Sequence, residues 1–209
     1  MLLSAVIFDY GRVLCLPQPP ETVAALVTRL GISEDCFRQA YAQFREAYDR
    51  GTLDDVAYWQ AVARHCGRSV DAETAYHLAD LDARGWSHPN RPLVDWAARV
   101  RAAGFKTAIL SNMQRSLRQR LHNLCPWLPP VDAAVFSSDV GMVKPESGIY
   151  DRVLEALGVR PEQALFIDDV EANTAAARQL GMVALRFTEL RELARSIAAF
   201  PKLPQLDVS

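Results

Sequence analysis

Five short apolar runs constrain the fold more than any other feature of this sequence. Residues 4–8 (SAVIF), 106–111 (KTAILS), 133–137 (AAVFS), 164–168 (ALFID) and 183–187 (VALRF) are continuous in apolarity and partly β-branched. Runs without polar alternation suit strands covered on both faces, as in a parallel sheet. Helical patterns lie between them. Within 146–157, Ile149, Tyr150, Val153, Leu154 and Leu157 recur at helical spacing before Gly158, a helix stop. Within 170–180, Ala176, Ala177 and Leu180 do the same before Gly181. Strands alternating with helices predict right-handed βαβ units, hence an α/β, Rossmann-like core built on a parallel sheet.

The alternation breaks once. Residues 21 to about 88 contain no strand pattern but several helical ones: Val23, Leu26, Val27 and Leu30; Phe37, Ala40, Tyr41 and Phe44; Val56, Trp59, Val62 and Cys66. Proline clusters bracket this stretch, LPQPP at 16–20 and HPNRP at 88–92. Proline fixes φ and disfavours helix in the residue before it, so the clusters read as the two strands of a hinge. The expected organisation is a core of 1–14 and 93–209 with a small helical domain, 15–92, inserted after the first strand. The tail PKLPQLDVS is expected to be loose.

Length and charge remove several function classes. A chain of 209 residues buries one substantial core with room for an accessory unit. Its 23 Lys+Arg against 25 Asp+Glu leave no basic excess for nucleic acid. The apolar start MLLSAVIFDYGRVL is interrupted by Asp9 and has no basic flank, unlike a signal peptide, and no run approaches the roughly 18 apolar residues of a membrane span. A cytoplasmic location without membrane contact is expected. Cys15, Cys36, Cys66 and Cys125 form no CxxC or zinc spacing and are expected as reduced thiols. His65, His77, His88 and His122 show no paired spacing.

In an open α/β sheet, ligands bind at the carboxyl ends of the strands. Those ends carry Asp9-Tyr10-Gly11, Ser111-Asn112, Lys144-Pro145 (after a loop) and Asp168-Asp169. Singly, Asp9 could begin a turn, Ser111 could be an N-cap and Asp168-Asp169 could cap the next helix. A cap needs only one carboxylate, however, and a doublet carries an electrostatic cost that something must offset. Three carboxylates together suggest a hard cation held by oxygens, usually Mg²⁺. A lysine and a hydroxyl beside it suggest a bound phosphoryl group.

The segments FDYGRVL, ILSN, VKPESGIY and FIDDVEAN resemble, in order, the four motifs of the haloacid dehalogenase (HAD) superfamily, and the insert resembles its α-helical C1 cap. Within that superfamily the likeness is to the bacterial α-D-glucose-1-phosphate phosphatase type. The resemblance implies a Mg²⁺-dependent phosphatase for a small phosphorylated metabolite, working through an aspartyl-phosphate. Asp9 would be the nucleophile; Asp9, the Gly11 carbonyl, Asp168 and Asp169 would hold Mg²⁺. Tyr10 and Gly11 N–H groups, Ser111 and Asn112 would cradle the phosphoryl oxygens, and Lys144 would balance the charge. A monomer or homodimer is expected, the sequence itself being silent on which.

The departure is Gly11, where most phosphatases of this superfamily carry a second acid that protonates the leaving group, a role that typically contributes ~10²–10⁴-fold. Three routes stay open: substrates with good leaving groups, an acid from the insert (Glu46, Asp49, Asp54 or Asp55), or loss of turnover. Arg12 reads equally as a substrate contact and as a solvated loop residue. Tyr48–Thr52 reads as a lid contact, with Gly51 a helix C-cap, and Tyr41 and Trp59 as core. Arg115, Arg118 and Arg120 read as an exposed helix face. The rivals are a 2-haloacid dehalogenase, which needs no metal, and a catalytically silent binding protein of the same fold. Ser111 lacks a GxSxG frame, Lys144 lacks a P-loop, and no GxGxxG follows the first strand.

Overall fold

The computed structural model describes residues 3–208. Each apolar run is a strand: β1 (Ala5–Phe8), β2 (Lys106–Ser111), β3 (Ala133–Phe136), β4 (Ala164–Asp168) and β5 (Val183–Arg186). All pairings are parallel and the order is β3-β2-β1-β4-β5. Chain reversal at β1 puts the central strand between two crossovers of opposite direction, which opens a crevice above its carboxyl end.

Successive side chains of a strand point to opposite faces, and the core divides accordingly. Val6 and Phe8 of β1, with Ile109 and Ile167, face one apolar layer completed by α5 (Arg91–Ala102), α6 (Arg115–Leu124) and α10 (Leu190–Ile197). Ala5 and Ile7, with Ala108, Leu110 and Phe166, face the other, under α8 (Ser147–Leu157) and α9 (Glu171–Gln179). Phe8 meets Trp96 of α5 edge-on at 5.7 Å; truncating so buried a phenyl typically costs about 3–5 kcal/mol. Gly158 and Gly181 do stop α8 and α9, with φ of 61° and 90°. A one-turn helix, α7 (Ser137–Val140), follows β3.

Four helices fill the insert: α1 (Pro20–Leu30), α2 (Glu34–Arg50), α3 (Asp55–His65) and α4 (Ala72–Gly85). They enclose their own apolar cluster, in which Leu26, Trp59 and Leu78 are fully buried and the Tyr48 and Tyr58 rings stack at 4.0 Å. The proline-rich segments run side by side: Leu16 N–H donates to His88 O, Asn90 N–H donates to Leu14 O, and Cys15 bridges Pro89 antiparallel. Gly51 ends α2 at φ 83° and rests 3.3 Å from Ser138 O, with an added Cβ as the measure. Ser137 Oγ donates to Asp49 O and Arg50 pairs with Glu146, so this loop is docked on the core.

Two expectations are corrected. Cys36 and Cys66 form a disulfide, while Cys15 and Cys125 remain free and buried. Because α2 and α3 are antiparallel neighbours, the start of one lies beside the end of the other, a proximity that sequence spacing does not express. The tail is not loose either over its described residues; Ser209 lies outside them. Leu203 and Leu206 are 3% and 5% exposed within the core layer beneath α5, Trp96 Nε1 donates to Pro204 O, and Arg99 pairs with Asp207.

Candidate active site

The parallel sheet delivers Asp9, Ser111 and Asp168 to one edge, because each follows or ends a strand running in the same direction. The Asp9 N–H donates to Ile167 O at 2.9 Å, which ties the loop after β1 to β4. Asp9, Tyr10, Gly11, Ser111, Asn112 and Asp169 line one cavity of about 380 Å³. Lys144 and Asp168 lie beside Asp9, 4% and 0% exposed.

Lys144 is the hub. Its Nζ is 2.9 Å from Asp9 Oδ1 and 2.6 Å from Asp168 Oδ2, and it donates to Leu110 O at 3.0 Å. The Asn112 amide clasps the Lys144 backbone in both directions, Nδ2 to its carbonyl and Oδ1 from its N–H. Asp168 also accepts from Val170 N–H and Asn173 Nδ2. The Tyr10 N–H donates to Asp9 Oδ1 at 2.7 Å, leaving Asp9 Oδ2 without a hydrogen bond among the described residues. The Tyr10 side chain turns away, its hydroxyl donating to Trp86 O beside Cys125 Sγ. Ser111 Oγ has only a long contact, 3.5 Å to Asn112 O.

Carboxylate oxygens of Asp9, Asp168 and Asp169 lie within 4.8 Å of one another. Burial pushes the Asp9 carboxyl up to about 7; Lys144 opposes this, while Asp168 and Asp169 reinforce it. Burial and then Asp168 raise Asp169, against Arg12. Burial also works against the Lys144 charge, but Asp9 and Asp168 outweigh it and hold the ammonium above its ordinary value. Three carboxylates against the Lys144 ammonium and the exposed Arg12 guanidinium, 4.0 Å from Asp169, leave surplus negative charge on hard oxygen donors. That donor set fits a divalent cation such as Mg²⁺.

The insert supplies the roof. Tyr41, Arg45 and Asp49, one face of α2 at four-residue spacing, line the same cavity together with Trp86 and Gln114. Arg45 Nε grips both Asp49 oxygens at 2.9 and 3.0 Å, its Nη2 donates to Gln114 Oε1 at 2.7 Å, and its Nη1 donates to the Tyr41 hydroxyl. Fully buried Asp82 accepts from Gln18, Tyr41 and Gln114. Burial raises the Asp49 carboxyl, Arg45 opposes it and Asp82 adds to it.

Tyr41, expected as core, is therefore a cavity residue that packs its ring on Tyr58 and Trp59 and spends its hydroxyl on Asp82; Trp59 is core. Of the four candidate acids only Asp49 lines the cavity: Glu46 pairs with Arg50, Asp54 caps α3 and Asp55 accepts from Tyr48. Arg118 and Arg120 pair with Asp139 and Asp80. Sequence reasoning misses Arg45, Gln114, Asp82 and Trp86; the polar stripe at 41, 45 and 49 is a signal for Arg45, and the other three carry none.

Gly11 is not required by its backbone, since its φ is not positive, and a Cβ there would meet only Trp86 Cζ3 at 3.8 Å. The next residue is unusual instead. Arg12 has φ 59°, a conformation that costs a non-glycine residue of order 1–3 kcal/mol.

The comparisons agree with this architecture. Residues 3–181 match the haloacid dehalogenase-like hydrolase model. The chain belongs to that family. It is 30% identical to rat bifunctional epoxide hydrolase 2 over 98% of its own length and 41% of that protein's, so it spans less than half of that relative. Phosphatase MT3486 of Mycobacterium tuberculosis is 36% identical over 60% of this chain and 57% of that one. Among solved structures, a HAD family enzyme from Bacteroides thetaiotaomicron in complex with magnesium and inorganic phosphate superposes with a TM-score of 0.70 at 18% identity, covering 89% and 94% of the two chains. An L-2-haloacid dehalogenase from Xanthobacter autotrophicus with chloropropionic acid covalently bound gives 0.71 at 22%, covering 97% and 85%. Among the described residues no helix is long and apolar enough to cross a membrane.

Proposed function

We propose that the chain is a Mg²⁺-dependent phosphatase of small phosphomonoesters whose leaving groups depart as stable anions. The observation that carries this reading is the cluster of Asp9, Asp168 and Asp169, of which the first two share the Lys144 ammonium. A haloacid dehalogenase attacks a carbon centre with one carboxylate and has no use for that surplus charge.

Asp9 Oδ2, the oxygen without a hydrogen bond among the described residues, attacks phosphorus. The P–O bond to the leaving group breaks as the Asp9–phosphorus bond forms, and water then releases inorganic phosphate and restores the carboxylate. Lys144 holds the other Asp9 oxygen and fixes the attack direction. Ser111, with its hydroxyl nearly free, and the backbone N–H of Asn112, whose side chain locks Lys144 in place, present donors to the phosphoryl oxygens. Asp9, Asp168, Asp169 and the Gly11 carbonyl would hold Mg²⁺, which when bound screens the repulsion between carboxylate and phosphate. The helical insert acts as a cap that shields the phosphoryl site from bulk water, with Tyr41, Arg45 and Asp49 facing the substrate. Gly11 offers no proton, so the chemistry suits anomeric, acyl or aryl phosphates.

The test is a hydrolysis screen with and without Mg²⁺ over p-nitrophenyl phosphate, glucose 1-phosphate and glycerol phosphate, with 2-chloropropionate alongside. Mg²⁺-dependent turnover of the first two, well above glycerol phosphate, is expected. Metal-independent chloride release without ester hydrolysis would overturn the reading in favour of a dehalogenase.

A further inference from the structure

A second cavity, of about 240 Å³, adjoins the catalytic one at Trp86 and shares Arg12, Tyr41 and Trp86 with it. The two differ in charge. The inner one sets Asp9, Asp49 and Asp169 against Arg12 and Arg45, whereas the outer one has no carboxylate among its lining residues and is charged by Arg12 and Arg38 alone. Phe37, Tyr41 and Trp86 give it aromatic walls.

These two guanidiniums are available in a way that Arg45 is not. Arg45 is committed to Asp49, Asp82 and Gln114. Arg12 and Arg38 have side chains 61% and 62% exposed; the carboxylate nearest Arg12 is Asp169 at 4.0 Å, and Arg38 pairs with Glu34 one turn away on the solvent side. Exposed pairs of that kind are weak enough for a competing anion to displace. Arg12 is also the one non-glycine with positive φ among the described residues. A glycine would hold that turn without strain, so the arginine is kept against the preference of its backbone, which points to a task for its side chain.

We propose that the outer cavity is a leaving-group subsite. It takes esters whose leaving group has a planar or apolar body and a second anionic group at its far end. Trp86 and Tyr41 flank the body, and Arg12 and Arg38 hold the distal carboxylate or phosphate. This deepens the phosphatase reading and rests on it for the identity of the inner group, but not for its own binding test.

Phenyl phosphate and 4-carboxyphenyl phosphate differ only in the distal anion. Wild-type protein is expected to show at least tenfold higher kcat/KM for the carboxylated ester, carried mainly by KM. Arg38→Gln and Arg12→Gly are each expected to bring that ratio towards one, and Arg12→Gly to do so with an unchanged or higher melting temperature. A wild-type ratio near one, or a ratio untouched in both variants, overturns the subsite. Calorimetry of Asp9→Asn protein with the two esters in Mg²⁺ separates the readings. A tenfold difference in Kd without any wild-type hydrolysis removes the phosphatase and keeps the subsite; hydrolysis of both esters with equal Kd does the reverse.

Discussion

Nζ of Lys144 lies 2.9 Å from Oδ1 of Asp9, both groups buried at the carboxyl end of the central strand. Removing one member of a buried ion pair leaves the other charge uncompensated, typically at a cost of 3–5 kcal/mol. Lys144→Met strands two carboxylates, Asp9 and Asp168, so destabilisation of about that size is expected in urea titration. Phosphatase turnover is expected to vanish with it. Lys144→Arg should not rescue, because the Nζ site is closed by Leu110 O as well as by both acids.

The raised Asp9 carboxyl makes the metal-free protein pH-sensitive. An aspartate in the unfolded chain ionises near 3.8, and in the folded protein near 7. Between these values the folded state holds a proton that the unfolded state has lost, so stability falls as pH rises through the window. Metal-free wild type is therefore expected to be more stable at pH 5 than at pH 8 in this contribution. Asp9→Asn, which cannot ionise, should gain relative to wild type at pH 8 and much less at pH 5. Added Mg²⁺ should stabilise wild type more at pH 8, where its ligands are deprotonated. Unfolding midpoints at the two pH values, with chelator and with metal, decide it.

The Cys36–Cys66 bridge closes a loop of 30 residues within the insert. By the chain-entropy relation, a loop of that length contributes about 3–4 kcal/mol against unfolding. Thiol titration in denaturant should find two free thiols, Cys15 and Cys125, and four after reduction. Cys36→Ser should lower the melting temperature and loosen the roof residues Tyr41 and Arg45, which share its helix.

What was legible in the sequence was local. The strands were readable to within a residue because apolar runs bounded by polar residues are short-range signals, and α8 and α9 because glycines 158 and 181 punctuate them. The grouping of Asp9, Ser111, Lys144, Asp168 and Asp169 followed from one step more, that parallel strands end on a common edge. Contacts between distant segments were not readable. Nothing near Cys36 indicates Cys66, and nothing in PKLPQLDVS indicates that Leu203 and Leu206 find a gap beneath Trp96. The Arg45 network joins positions 18, 41, 45, 49, 82 and 114 from two helices and two loops. Periodicity placed Tyr41 in the core because its ring is packed there, but its hydroxyl decides its role.

Gly11 allows the sharpest change of activity. Its φ is not positive and an added Cβ would sit 3.8 Å from Trp86 Cζ3, an ordinary contact, so neither backbone nor space demands glycine. Gly11→Asp is therefore expected to fold, its cost set by adding a carboxyl among acids rather than by backbone strain or overpacking. The new carboxyl stands two residues from Asp9, in a cavity already rich in acids, where like charges favour its protonated form. A protonated acid there can donate to a departing alkoxide, an effect that typically contributes ~10²–10⁴-fold. The gain should appear with glycerol phosphate, whose leaving group needs the proton, and hardly at all with p-nitrophenyl phosphate, whose leaving group does not. The measurement is the ratio of kcat/KM for these two esters in wild type and variant at saturating Mg²⁺. A ratio that does not move would mean that the leaving group already receives its proton elsewhere in the cavity, with Asp49 the only insert carboxylate among the described residues placed to give it.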